Sequence, residues 1–130
     1  MRSTPACSGL AIALTLALSV GARAQVVEDG SDAAIGKPAA ARVLDLIGQR
    51  FKPLDPKVTA LRKAEGTWIC GAVNVKNRDG LYIGERGFVV DLATDFLGRV
   101  PEGPELLNPR APGFQELEHI RQLYFTMCLD

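Results

Sequence analysis

Groups able to do chemistry are few in this chain, and seven of them crowd one short stretch: Asn74, Lys76, Asn77, Asp79, Tyr82, Glu85 and Arg86. Asp79 and Glu85 are its two carboxylates. Two carboxylates facing one site can divide acid and base duties, or hold a hard cation through oxygen ligands. Plainer roles compete with that reading. Asp79 precedes Gly80, as a tight turn asks, and Asn77 suits local hydrogen bonding to the backbone. Asn74 lies on a strand that otherwise reads as buried, where an amide needs partners. The cluster reads first as structural, next as a recognition surface, and last as catalytic machinery. Nucleophilic chemistry has less to draw on. His119 is the single histidine and falls beside the wet side of a helix, next to Glu118. Cys70 and Cys128 lack a C-x-x-C arrangement, and the Cys and His ligands are too few for zinc. No catalytic residue, metal site or cofactor is expected.

The stretch that must position this cluster runs from Thr67 to Leu92 and reads as a β-hairpin. Ile69, Gly71, Val73 and Val75 alternate with Trp68, Cys70, Ala72 and Asn74, the period of a strand. Asp79-Gly80 reads as a two-residue type I′ loop. That loop sets Asn77 opposite Tyr82, Asn74 opposite Glu85, Gly71 opposite Phe88 and Cys70 opposite Val89, unless a bulge at Gly84 or Gly87 shifts the register.

The run Cys70-Gly71-x-Val73-Asn74-x-Lys76-Asn77-x-x-Gly80-x-Tyr82-x-Gly84-x-x-x-Phe88 resembles the signature of a family of small secreted proteins of Gram-negative bacteria. In that family an Asp-Pro helix start precedes the motif, as Leu54-Asp55-Pro56 does here. An aromatic helix and a second cysteine follow near the C-terminus. Leu81 departs from the pattern, where the family usually has glycine, and so does the segment after Leu92. The resemblance implies a shared fold and export, and brings no activity with it.

Residues 1–24 read as a signal peptide: Arg2, then an apolar run from Leu10 to Val20, then Ala22-Arg23-Ala24 as a cleavage site before Gln25. The run is too short for a membrane span, which needs about 20 apolar residues. Cleavage takes Arg2 and Arg23 with it. Of the 130 residues 106 remain, with 13 basic against 15 acidic side chains and a formal net charge of −2. One small domain with one modest core follows, with no basic surplus to suggest nucleic acid and no stable membrane span. Cys7 also leaves, so Cys70 and Cys128 read as a disulfide in an oxidising compartment.

Within the mature chain, 25–37 reads as a flexible N-terminal segment and 38–130 as the domain. Pro38 opens a helix whose Val43, Leu44, Ile47 and Phe51 line one face, ending near Arg50. Asp55-Pro56 reads as the cap and first turn of a short second helix through Lys63, with Val58 and Leu61 inward. Residues 93–113, rich in proline and glycine, read as irregular chain, first as a surface wrap pinned by Phe96 and Leu97 and by Leu106 and Leu107, and second as a binding loop. Phe114 to Cys128 reads as a helix with Leu117, Ile120, Tyr124, Met127 and Cys128 on one stripe. The expected fold is α+β: a small antiparallel sheet built on the hairpin at about 67–92, packed by N-terminal and C-terminal helices and tied by one disulfide. The C-terminal helix should cover the Trp68, Cys70 and Ala72 face, leaving the Ile69, Val73 and Val75 face to the first helix or to the proline-rich segment.

Three functional readings stay open. One is a non-enzymatic periplasmic or secreted module binding an envelope protein, peptide or cell-wall component. Another is a small envelope hydrolase using the carboxylates near the hairpin tip. A subunit of a larger assembly, marked by an uncovered apolar patch, is the third.

Overall fold

A computed structural model describes residues 27–129; the leader, its cleavage site and Gln25 lie outside them. The fold is α+β. Four antiparallel strands run in chain order across one sheet, β1 (Lys57–Lys63), β2 (Trp68–Asn74), β3 (Arg86–Asp91) and β4 (Phe96–Arg99). Helix α1 (Asp32–Ile35) and helix α2 (Lys37–Phe51) precede the sheet, and α3 (Phe114–Cys128) follows it.

The central hairpin forms as the alternation predicts, with Gly71 opposite Phe88 and Cys70 opposite Val89. Its tip differs. Gly80 N–H donates to the Asn77 carbonyl and Asn77 N–H to the Leu81 carbonyl, so the loop holds three residues, Arg78 to Gly80, with Gly80 at φ 76°. Lys76, not Asn77, faces Tyr82. An extra residue on the second limb around Gly84 (φ 110°) then restores the expected register by Arg86. Two local irregularities cancel: a three-residue turn removes one step and the bulge returns it.

Three expectations need correction. The segment from Asp55 to Lys63 is strand β1, not a short helix. Asp55 takes the left-handed conformation, φ 50° and ψ 60°: the proline after it disfavours the right-handed one, and aspartate tolerates the left-handed region. The three-residue spacing of Val58 and Leu61 imitates a helix because a bulge separates them: Ala60 sits at φ 55° and the pairing shifts between Thr59 and Arg62. The bulge returns both side chains to one face, where they are 0% and 2% exposed.

Second, the stretch before Pro38, expected to carry little structure, folds against β1. Val27 bridges Val58, and the Asp29 carboxylate and Ser31 hydroxyl accept the Ala60 and Leu61 amides at the bulge. These side chains cap an edge that would otherwise offer unpaired amides to another chain. Third, the proline-rich segment contributes β4. Phe96 and Leu97 pin it as expected, while Leu107 stays 79% exposed.

Helix and disulfide placement follow the alternation. On one face, Ile69, Val73, Val75, Phe88 and Val90 pack with Ala40, Val43, Leu46, Ile47 and Phe51 of α2. On the other, Cys70 and Val89 meet α3 beside Trp68, Tyr124 and Met127. Cys70 and Cys128 are disulfide-bonded, with Cα atoms 5.7 Å apart. Glycines make the close approaches possible. A Cβ at Gly71 would lie 2.5 Å from the Phe88 ring, one at Gly87 would lie 2.4 Å from Tyr124, and one at Gly98 would lie 2.9 Å from Ile120.

Candidate functional site

The seven residues of the polar cluster do not form one site. Asn74, Lys76, Tyr82 and Glu85 share the face of the sheet on which α3 lies. Arg86 points to the opposite face, paired with Val73 in register. Asn77 and Asp79 belong to the loop.

Two side chains that the sequence reading cast otherwise complete the group on the α3 face. Lys57 pairs in register with Asn74, and its ammonium lies 4.3 Å from the centre of the Tyr82 ring, with that of Lys76 at 5.4 Å. Asp55, read as a helix cap, instead bonds Lys76 Nζ at 2.9 Å and accepts the Tyr82 hydroxyl at 3.2 Å. The hydrogen bond from Lys76, then its charge, then the Tyr82 hydroxyl hold the Asp55 carboxyl below its ordinary range. The same bond raises Lys76. Partial desolvation, followed by the bond to Asp55, raises the Tyr82 phenol. Nothing in the sequence marks this pairing, because the left-handed conformation of Asp55 is visible only in the fold.

The remaining polar groups are engaged in holding the hairpin. Asn74 Oδ1 accepts the Gly84 amide at the bulge, 3.0 Å, which answers what a half-buried amide does there. Asn77 Oδ1 accepts the amides of Asp79 and Leu81 across the turn. Glu85 accepts the Thr59 hydroxyl, while Asp79 stands exposed on the loop. Shallow depressions of about 290 and 320 Å³ lie elsewhere, one lined by Arg62, Lys63, Glu65 and Met127, the other by Gln49, Arg50, Asp95 and Leu97. Neither is lined by Asp79 or Glu85. Among the described residues no three His, Cys, Asp or Glu side chains converge as metal ligands, and no helix is long and apolar enough to cross a membrane.

Set against the fold, the motif residues are nearly all accounted for. Cys70 is bonded, Gly71 lies under Phe88, Val73 is in the core, Gly80 and Gly84 hold positive φ, and Lys76 and Tyr82 fasten Asp55. The residues between them are the unexplained ones. Leu81 and Ile83 are 64% and 50% exposed, and Leu54, whose carbonyl accepts the Lys76 amide, is 39% exposed. Leu81 and Ile83 direct the carbonyl of one and the amide of the other inward, to Asn77 and Val75. In an antiparallel pair this alternation turns the amide and carbonyl of Tyr82 to the outer edge, where β4 no longer runs alongside.

Comparison with known proteins returned no matching family model, no matching curated protein and no matching solved structure.

Proposed function

We propose that this chain is an exported, disulfide-stapled binding module of the bacterial envelope, of the kind its motif resembles, and that the outer limb of the hairpin is its contact surface. The observation that carries this reading is the exposure of Leu81 and Ile83 on a limb whose other residues are committed to folding. Large apolar side chains at alternate positions, next to an unpaired strand edge, suit an extended peptide segment of an envelope protein: backbone pairing supplies affinity and alternate side chains supply selectivity. Tyr82, held between two lysines, is presented on the other face of the same limb. The hydrolase alternative asks for two carboxylates facing each other across a cleft. Glu85 is bonded to Thr59 and Asp79 stands on the loop, so no observation favours it.

A photocrosslinking residue placed at Leu81 or Ile83 in the exported protein tests the proposal. A discrete adduct with an envelope protein, absent when the crosslinker sits at exposed Lys37, is the expected result. Equal labelling from both positions, or none from the hairpin, would reject this surface.

A further inference from the structure

Three guanidinium groups gather on the α2 face of the sheet, where α2 ends. Phe51 closes that helix at 6% exposure. Arg50 and Arg99 both lie against its ring, their guanidinium carbons 5.5 and 4.9 Å from its centre. Arg99 stands opposite Phe88 on the neighbouring strand, and Arg86 is two residues along from Phe88. The diagonal therefore brings Arg86 and Arg99 within side-chain reach, with roughly 7–8 Å between backbone positions.

Two of the three are engaged. Arg50 donates to the Leu97 carbonyl at 2.6 Å. Arg86 donates to the Val100 carbonyl at 3.1 Å and reaches Glu102 and Glu105 at 3.6 and 3.4 Å. Arg99 has neither an ion pair nor a hydrogen bond among the described residues. Burial, and then repulsion from Arg86, pull its guanidinium below the ordinary range, with Arg50 adding to the repulsion and the two glutamates opposing it. An arginine does not escape such a position by losing its proton. The last-turn carbonyls of α2 and the carboxylates of Glu102 and Glu105 offset part of the charge. Three cations against two carboxylates still leave one positive charge in excess, with its donor fork unused and its guanidinium lying against an aromatic ring.

We propose that Arg50, Arg86 and Arg99 form a binding site for a phosphoryl group, with Arg99 supplying the bidentate fork and Phe51 holding it in orientation. Arginine is well suited to this task because its paired donors match two phosphate oxygens. The site lies on the opposite face of the sheet from Lys76 and Tyr82; it uses neither Leu81 nor Ile83 and does not rest on the peptide surface proposed above. A phospholipid headgroup and a soluble phosphate ester would present the same chemistry.

The test is titration of the oxidised, folded protein with inorganic phosphate, following the arginine side-chain N–H signals by NMR. It runs in parallel with sedimentation on phosphatidylglycerol vesicles, with phosphatidylcholine vesicles as control. Saturable shifts at Arg50, Arg86 and Arg99 without sedimentation assign a soluble phosphate. Sedimentation on phosphatidylglycerol alone, lost in Arg99→Gln, assigns the headgroup. In either case Arg99→Gln should weaken binding roughly tenfold or more, the value of one charge-assisted contact. Glu105→Gln should strengthen it, which a purely structural arginine cluster would not show. Arg50→Gln provides a second weakening variant should Arg99→Gln fold poorly. No saturable response with either probe, or affinity unchanged in Arg50→Gln and Glu105→Gln, overturns the site.

Discussion

The two faces of the sheet are covered by different means. On the α2 face, a broad set of aliphatic side chains and Phe88 close a continuous apolar core. On the α3 face the buried cluster is small, Cys70, Val89 and Cys128 within a ring of half-buried residues, with Ile120 buried beside it. Along α3 itself Ile120 and Cys128 alone are buried. That helix is held by a covalent bond and by seats on Gly87 and Gly98, where a packed interface would use many side chains. The difference teaches where each face is vulnerable. The first loses stability through volume changes, the second through loss of its bond. It also explains the open area beside α3: a helix fastened at Gly98, Gly87 and Cys70 leaves the sheet toward the hairpin tip to Asn74, Lys76 and Tyr82.

Breaking the bond should have the largest effect. Cys128→Ser should cost about 4 kcal/mol from the loop-closure entropy of the 58-residue separation, a large share of the stability of so small a domain. Cys70→Ser should cost the same, and the double variant little more. Urea unfolding of the three variants checks this. A midpoint close to that of the oxidised protein would mean that packing alone secures α3.

Overfilling the glycine seats should separate the faces further. Gly71→Ala drives a methyl into Phe88, which is 0% exposed and has nowhere to move, and should cost about 3 kcal/mol. Gly87→Ala meets the ring of half-exposed Tyr124, which can swing outward, and should cost about 1 kcal/mol. Equal losses would show that α3 is seated as rigidly as the core.

Acid should act at the hairpin end. Asp55 has a depressed carboxyl pKa in the folded state, so the unfolded chain binds its proton more readily. Its contribution is present in full above the ordinary carboxyl value of 3.8 and fades as the pH falls below it. Thermal melts between about pH 5 and 2 should therefore fall less steeply in Asp55→Asn than in the parent. Parallel slopes would remove the Lys76–Asp55–Tyr82 linkage from the account. The effect should be the smallest of the three, since Asp55 is largely exposed.

Much of the fold was legible, and the exceptions have physical causes. Alternation in β2 and β3 was unambiguous, and with it the face assigned to the C-terminal helix and to Cys70; the cover of the other face, left between the first helix and the proline-rich segment, is α2. Strand β1 was hidden because its bulge at Ala60 gives Val58 and Leu61 a helical spacing. Strand β4 was hidden because it is four residues long with Gly98 inside it, a glycine whose reason, the Ile120 side chain above it, lies 22 positions away in the chain. The capping of β1 by Asp29 and Ser31 depends on that same unseen bulge. Of the polar cluster, the expected register implied Arg86 opposite Val73, where the structure has it. It misplaced Tyr82, setting it opposite Asn77 where Lys76 stands, because the extra residue near Gly84 changes which side of the sheet the tip of the second limb presents. Exposure of Leu81 and Ile83 was not readable at all, since apolar residues at alternate positions look the same whether or not anything covers them.

The central claim is that the motif residues hold the hairpin while Leu81 and Ile83 between them have no folding duty and are free for a partner. Urea unfolding of the double variant Leu81→Ser/Ile83→Ser tests it most directly. The account predicts stability within about 0.5 kcal/mol of the parent, the range of surface substitutions, together with loss of capture by a crosslinker placed at Asp79. A loss of about 2 kcal/mol or more, the range of a core truncation, would contradict it and return both residues to the core.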